Sequence, residues 1–335
     1  MGLLRILAFP LSLIYALGVY LRNKCYDFGF FESRSYRTHI VCIGNLSVGG
    51  TGKTPLVEYV LNSLEDVSKV AVLSRGYKRK SRGFILANAE STVEELGDEP
   101  FQIYRKFGGV IVAVDADRQN GIELLEKNHR PDIIILDDAF QHRKVKASLN
   151  ILLTAYGDLY LDDWYLPTGN LRDSKGQAKR AAIIIVSKCP ADLSQKDQNN
   201  IEKRLSPSKD QKIIFSTLNY AGELKSESGS LRFTDMKHKR FTLVTGIANP
   251  APLVAHLKSQ GLSFEHLAFN DHHFFTATEL HMLSSKELII TTEKDYMRLQ
   301  GKVKPLYYVE VGHKFFNEGG AVLKDAITNF RKLDS

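Results

Sequence analysis

The run Gly49-Gly50-Thr51-Gly52-Lys53-Thr54 constrains this chain more than any other feature. It follows an apolar stretch at 39–44 and leads into a helical pattern over 53–64. Strand, glycine-rich turn and helix in that order are the context a phosphate loop requires. Glycines let backbone N–H groups converge on phosphate oxygens, a lysine supplies a point charge, and a hydroxyl such as that of Thr54 can ligate Mg²⁺. The usual pattern is GxxxxGK[ST], and Ser47 stands here at its first glycine, so the turn entering the loop is expected to differ. The alternative is a merely flexible glycine-rich turn. Further on, an apolar run at 133–136 ends in Asp137-Asp138. Carboxylates at the C-terminal end of a strand suit a Mg²⁺ site beside Thr54, although such a pair on its own is as readily a loop cap.

From residue 39 onward, short β-branched runs alternate with helical patterns, the order of a parallel sheet covered on both faces. Strands are expected at 39–44, 69–74, 110–114, 132–136, 149–153, 181–187 and 212–217, with helices at 53–64, 99–107 and 118–128. The polar stretch 222–239 reads as a hairpin or linker. A second set of elements follows, with strands at 241–245, 287–292 and 306–311 and a helix over 320–331. The expected fold class is therefore α/β, a P-loop NTPase-like parallel sheet over 37–218. A linker at 219–239 leads to a second, smaller α/β domain over 240–335. Residues 1–36 form an N-terminal segment of their own.

That segment is apolar over 3–21 except for Arg5 and Ser12, with Pro10 inside it. At ~1.5 Å per residue the stretch reaches ~28 Å, just short of a hydrocarbon core. A signal peptide lacks its cleavage site here, and a buried core helix is the other alternative. Tyr15, Tyr20, Arg22, Lys24 and Tyr26 resemble interfacial anchors, which favours a membrane-associated helix lying on or dipping into the cytoplasmic leaflet. Lys and Arg exceed Asp and Glu by seven, so an anionic partner is favoured: nucleotide, nucleic acid or anionic lipid. The three cysteines, Cys25, Cys42 and Cys189, are far apart and encode neither a disulfide framework nor a zinc site.

Several motifs together carry a specific likeness. They are Gly44-Asn45 with 48–55, Ser74-Arg75-Gly76-Tyr77, Gly97-Asp98-Glu99-Pro100, Asp117-Arg118, Asp137-Asp138-Ala139-Phe140-Gln141-His142, 166–172, Asp271-His272-His273 and Thr292-Glu293-Lys294-Asp295. In this order and spacing the chain resembles the tetraacyldisaccharide 4′-kinase family over nearly its whole length. The resemblance implies ATP and Mg²⁺ as cofactors and transfer of the γ-phosphate to the 4′-hydroxyl of a tetraacylated glucosamine disaccharide 1-phosphate, giving lipid IVA. It also implies work at the cytoplasmic face of a bacterial inner membrane, where an apolar N-terminal helix and a basic surface suit an anionic lipid acceptor.

A sugar hydroxyl needs a positioned group to take its proton. By the resemblance Asp98 is the catalytic carboxylate and His272 its partner, while Lys53 serves the transferred phosphate. Asp98 could equally cap a helix. Asp271-His272-His273 also invites a metal site, but adjacent histidines diverge on either a strand or a helix. By the same family analogy Tyr77 and Arg172 face substrate and Arg118 assists a phosphate group. Asp173 stands where the family has Glu, so any part in holding Mg²⁺ would have a shorter reach. Residues 75–82 concentrate five cations, either a solvated loop or a holder of lipid phosphate. Two other classes compete. A partitioning-type nucleotide switch lacks its signature lysine, since Val48 precedes Gly49, and a kinase for a soluble acceptor leaves the apolar N-terminus unexplained. No nucleic-acid module accompanies the basic charge, so no nucleic-acid partner is expected.

Overall fold

The computed structural model describes residues 3–64, 69–237 and 239–328. Its strands are β1 (His39–Asn45), β2 (Val70–Ser74), β3 (Ile85–Leu86), β4 (Ile111–Val114), β5 (Ile133–Asp137), β6 (Leu149–Ala155), β7 (Ile183–Ser187), β8 (Lys212–Ser226), β9 (Gly229–Arg232), β10 (Thr242–Thr245), β11 (Glu265–Ala268), β12 (Ile289–Thr292) and β13 (Leu306–Phe315). They form one sheet in the order β11, β10, β12, β13, β8, β7, β6, β1, β5, β2, β4, β3, with β9 paired to β8 off this path. The architecture is mixed α/β with parallel pairing dominant, as expected.

β1 lies between β5 and β6, parallel to both, with Ile43 opposite Asp137. Its apolar run is explained by burial on both faces. Ile40 and Cys42 enter one core with Ile134 and Leu136 of β5. Val41 and Ile43 enter the opposite core with Ile133 and Ile135. Successive side chains point to opposite faces, so neither face of the central strands tolerates polar residues. Parallel strands share one C-terminal edge, and there the loops after β1, β2 and β5 gather.

β8 is the element that sequence reasoning divided. Residues 212–215 pair parallel with β7, whereas 216–225 pair antiparallel with β13. One continuous strand therefore belongs to both halves of the sheet. The stretch 219–239 holds the distal part of β8, the hairpin to β9 and a short 3₁₀ turn, Phe233–Met236. The closing helix is Gly319–Thr328, and the expected residues 329–331 lie outside the described residues. Its Leu323 and Ile327 are buried in the core that also holds Leu56 and Val60 of the helix Lys53–Ser63.

The N-terminal segment folds as the helices Leu3–Leu7 and Phe9–Asp27, with Pro10 in the first turn of the second, where its missing N–H is no loss. The longer helix is inside out. Its buried positions are Ser12, Val19 and Asn23, while Leu11, Leu13, Ile14, Leu17, Tyr20 and Leu21 are exposed. Polar contacts dock it: Thr168 N–H donates to Ser12 Oγ at 3.0 Å, and Asn23 Nδ2 to Asp173 Oδ1 at 2.7 Å. Among the described residues no helix is long and apolar enough to cross a membrane.

Candidate active site

The phosphate loop occupies the C-terminal end of β1. Gly52 adopts φ +87° and forms the N-cap of the helix Lys53–Ser63, a conformation that suits glycine. The departure at Ser47 has a structural counterpart, because the entry to the loop is extended and pairs with the segment carrying Arg172. Val48 N–H donates to Asn170 O at 2.7 Å, and Arg172 N–H to Leu46 O at 2.8 Å. Asn45 organises the loop from within. Its Nδ2 donates to Thr51 Oγ1 at 3.2 Å, and its Oδ1 accepts from Lys53 Nζ at 3.3 Å and from Arg172 Nη2 at 2.5 Å.

Asp137 and Asp138 end β5 beside this loop. Arg172 grips the Asp138 carboxylate through both terminal nitrogens, with Nη1 to Oδ2 at 3.0 Å, and Lys53 Nζ stands 3.7 Å from Asp138 Oδ1. Burial alone would raise Asp138, but Lys53 and Arg172 outweigh it and hold the carboxyl at about 2. Asp137 is driven the other way, to about 6, by burial first and then by the charges of Asp138 and Glu99. Ser74 Oγ donates to it at 3.1 Å. A hydroxyl and two carboxylates form a hard oxygen donor set, and a carboxylate destabilised by neighbouring negative charge is relieved by a divalent cation. Thr54, Asp137 and Asp138 therefore fit Mg²⁺ in chemical type.

Asp98 is the first residue of the helix Asp98–Lys106, capped by Gly97 at φ +88° rather than by its own side chain. The carboxylate is free to turn elsewhere, and it is almost wholly buried. His272 Nδ1 lies 2.5 Å from its Oδ2. Arg298 closes the other side, with Nε donating to Oδ1 at 2.7 Å and Nη2 to Oδ2. Burial pushes the Asp98 carboxyl up, yet hydrogen bonds from His272 and Arg298 with the Arg298 charge bring it to about 2. Lys294 Nζ lies 3.0 Å from His272 Nε2 and 3.0 Å from Glu99 Oε1. An ammonium only donates, so Nε2 accepts and the ring proton sits on Nδ1, facing Asp98. The Tyr77 ring meets the His272 ring edge-on at 5.2 Å. His273 turns away to Glu279, 2.9 Å from its Oε2, so the two histidines diverge as expected.

The expected residues thus fall into two neighbouring groups. Lys53, Thr54, Asp137, Asp138 and Arg172 sit at the loop, and Asp98, His272 and Tyr77 sit beyond Glu99. Arg172 belongs to the first group. Arg118 is buried, its Nη1 donating to the Asp115 carbonyl at 3.0 Å, and it is close enough to Asp137 and Asp138 to feel their charge. Asp173 is fully buried against Arg22 and Asn23 and anchors the N-terminal helix. In the basic stretch, Arg79 is spent on the carbonyls of Val114 and Gly83, while Arg75, Lys78, Lys80 and Arg82 are exposed. Arg298 was not singled out by sequence reasoning, and Lys294 entered only within the motif Thr292-Glu293-Lys294-Asp295, with no role of its own. They stand four residues apart on one helix, Glu293–Leu299, and so face the same side. A buried hub ties the Asp98 helix to its neighbours: Lys106 Nζ lies 2.8 Å from Glu58, 2.8 Å from Glu293 and 3.0 Å from Glu310.

Known proteins resemble the chain over most of its length. The chain is 47% identical over 323 residues to the tetraacyldisaccharide 4′-kinase of Flavobacterium johnsoniae, covering 95% of this chain and 94% of that one. It is 43% identical over 326 residues to the enzyme of the same name from Bacteroides thetaiotaomicron, covering 90% and 86%. Among solved structures it superposes on LpxK from Aquifex aeolicus, described as an "apo" form in complex with ATP, with a TM-score of 0.79 and 30% identity over 98% of this chain and 99% of that one. The family model for tetraacyldisaccharide-1-P 4′-kinase matches residues 4–329, and the chain belongs to that family.

Proposed function

We propose that this protein transfers the γ-phosphate of ATP to the 4′-hydroxyl of a tetraacyldisaccharide 1-phosphate, forming lipid IVA. Asp137 carries the reading, because one carboxylate feels both Lys53 of the phosphate loop and Glu99 beside Asp98, so nucleotide and acceptor groups share one edge of the sheet. Lys53 and the loop N–H groups bind and orient the phosphates, and Arg172 and Asn45 hold Lys53 and Asp138 in place. Thr54, Asp137 and Asp138 would hold Mg²⁺, which would supply neutralisation of the negative charge on the phosphates. Asp98 accepts the 4′-hydroxyl proton as the oxygen bonds to Pγ and the bond from Pγ to the β–γ bridging oxygen breaks, releasing ADP. A carboxylate held at about 2 is a weak base, which suffices because phosphoryl transfer is largely dissociative and the attacking hydroxyl is deprotonated late. Position matters more than strength, and His272 with Arg298 fixes position.

Tyr77, on the His272 ring, and Lys78, whose Nζ donates to the Asp271 carbonyl, border the Asp98 group, and they suit the anionic headgroup of the acceptor. The apolar outer face of the helix Phe9–Asp27 suits the surface of a bilayer, in which an acylated acceptor resides. An exposed stripe of Leu, Ile and Tyr on a helix docked by polar residues has no rationale in water. The working location is then the cytoplasmic face of the inner membrane, and no nucleic-acid partner is invoked.

Detergent-solubilised protein incubated with labelled ATP and a panel of acceptors tests this directly. Label should enter the tetraacyldisaccharide 1-phosphate, and label entering another acceptor instead would sink the assignment. Asp98→Ala should lower kcat ~10² to 10⁴-fold with little change in ATP binding. His272→Ala should lower it less, and the double variant should be about as slow as Asp98→Ala alone, since the pair acts as a unit. Fully multiplicative losses would show that the two act independently.

A further inference from the structure

One buried side chain touches the phosphate loop from the far half of the chain. His313, on β13, lies 2.8 Å through Nε2 from the Gly52 carbonyl oxygen and 2.9 Å through Nδ1 from Ser216 Oγ. A carbonyl can only accept, so Nε2 bears the ring proton. Nδ1 is then an acceptor and takes the hydrogen of the Ser216 hydroxyl. Both partners thereby fix one tautomer, and burial keeps the ring neutral by lowering its proton affinity to about 4. The approach is tight as well as polar, since a Cβ on Gly52 would come 3.1 Å from His313 Nε2.

The consequence lies in the geometry of one peptide. In a trans peptide the C=O and the following N–H point in opposite directions. The Gly52 carbonyl also accepts the first bond of the helix, from Leu56 N–H at 3.1 Å, so His313 adds a second restraint that keeps the Lys53 N–H turned away from His313. Lys53 is the first residue of its helix, and its N–H is among those with no partner inside that helix. Such a group, aimed outward at a helix N-terminus, binds anions.

We propose that His313 is a positioning residue for nucleotide binding, which holds the Gly52–Lys53 peptide so that the Lys53 backbone N–H faces the phosphates of ATP. The proposal rests on the phosphate loop being the ATP site. It gives the second half of the chain a direct hand in the nucleotide end of the reaction, besides the one it has through His272 at the acceptor end.

The test compares His313→Phe, His313→Gln and Ser216→Ala with Lys53→Ala in the full chain. It measures ATP affinity by calorimetry, KM for ATP and for the lipid acceptor separately, and thermal unfolding. Phenylalanine keeps the ring volume and removes the donor, so ATP affinity should fall ~10-fold, which is ~1.4 kcal/mol, while KM for the acceptor stays within about twofold. Glutamine, whose amide nitrogen can reach the place of Nε2, should restore most of the loss. Ser216→Ala, which frees the tautomer, should give a smaller loss in the same direction. Unchanged ATP affinity in a folded His313→Phe protein overturns the proposal. Equal losses for phenylalanine and glutamine, matched by equal falls in melting temperature, also overturn it by assigning a packing role. Should the phenylalanine variant not fold, the glutamine and Ser216→Ala proteins decide by the same readouts. Lys53→Ala separates the two levels of the argument. If that variant binds ATP normally, the loop itself is not the site, whereas normal binding by the histidine variants alone removes only His313.

Discussion

Replacing Arg298 by methionine should bring the titration of Asp98 into a range where it can be observed. In the native arrangement burial pushes this carboxyl up, and His272 and Arg298 overcome that to hold it at about 2. Methionine keeps an unbranched stem but removes both the charge and the forked donors. Removing one partner of a buried ion pair costs ~3–5 kcal/mol. At ~1.36 kcal/mol per unit, a loss falling wholly on the ionised form corresponds to a rise of ~2–4 units, placing Asp98 near 4 to 6. The sign of the stability effect changes with it. In the native protein the depressed value contributes stability that is present above the unfolded value of about 3.8 and is lost as pH falls through about 2. In the variant the value lies above the unfolded one, so stability falls as pH rises from ~4 toward 6. The assay is kcat/KM against pH with thermal unfolding at the same points. Arg298 is not among the charges that raise Asp137, so Asp137 behaves alike in both proteins and the ratio of the two profiles isolates Asp98. That ratio should drop on the acid side, with Arg298→Lys intermediate because it keeps the charge and loses the fork. A ratio flat across this range would refute the idea that Arg298 sets the ionisation of Asp98.

Two further outcomes follow from the site and the N-terminal helix. Lys53→Ala should abolish transfer while leaving the melting temperature nearly unchanged, and near-normal turnover in that variant would remove the loop from the chemistry. Changing Leu13, Ile14 and Leu17 together to Gln alters residues that are 56%, 68% and 57% exposed, so folding should survive. Co-sedimentation with anionic vesicles should fall, and KM for the lipid acceptor should rise more than KM for ATP. Unchanged sedimentation would assign membrane contact to another surface.

The central strands were legible because burial on both faces demands unbroken apolar runs, as in 40–43, 133–136 and 183–186. Edge strands carry no such demand. β3 has two residues, and β11 reads Glu-His-Leu-Ala, so neither stood out. The phosphate loop was readable from local spacing alone, since strand, turn and helix are contiguous there. Asp98 and His272 are 174 residues apart, and only the family likeness joined them. His313 is 261 residues from Gly52, and nothing in an alternating strand marks a histidine that will meet a distant carbonyl. Arg298 was hidden for another reason, since a cation four residues after another on a helix is ordinarily a solvated face.

The return of the closing helix to the first core has a consequence for synthesis. Leu323 and Ile327 fill the core around the helix Lys53–Ser63, and the Phe315 ring meets Tyr59 of that helix at a centroid distance of 4.8 Å. The nucleotide-binding half is therefore still missing part of its packing when the ribosome has finished β8, and its apolar surface stays open until β13 and the helix Gly319–Thr328 emerge. A nascent chain at that stage presents an open core face and a β8 that still lacks its β13 partner over 216–225, the kind of surface that chaperones hold. The order of the chain thus ties completion of the ATP site to the emergence of the helix Gly319–Thr328.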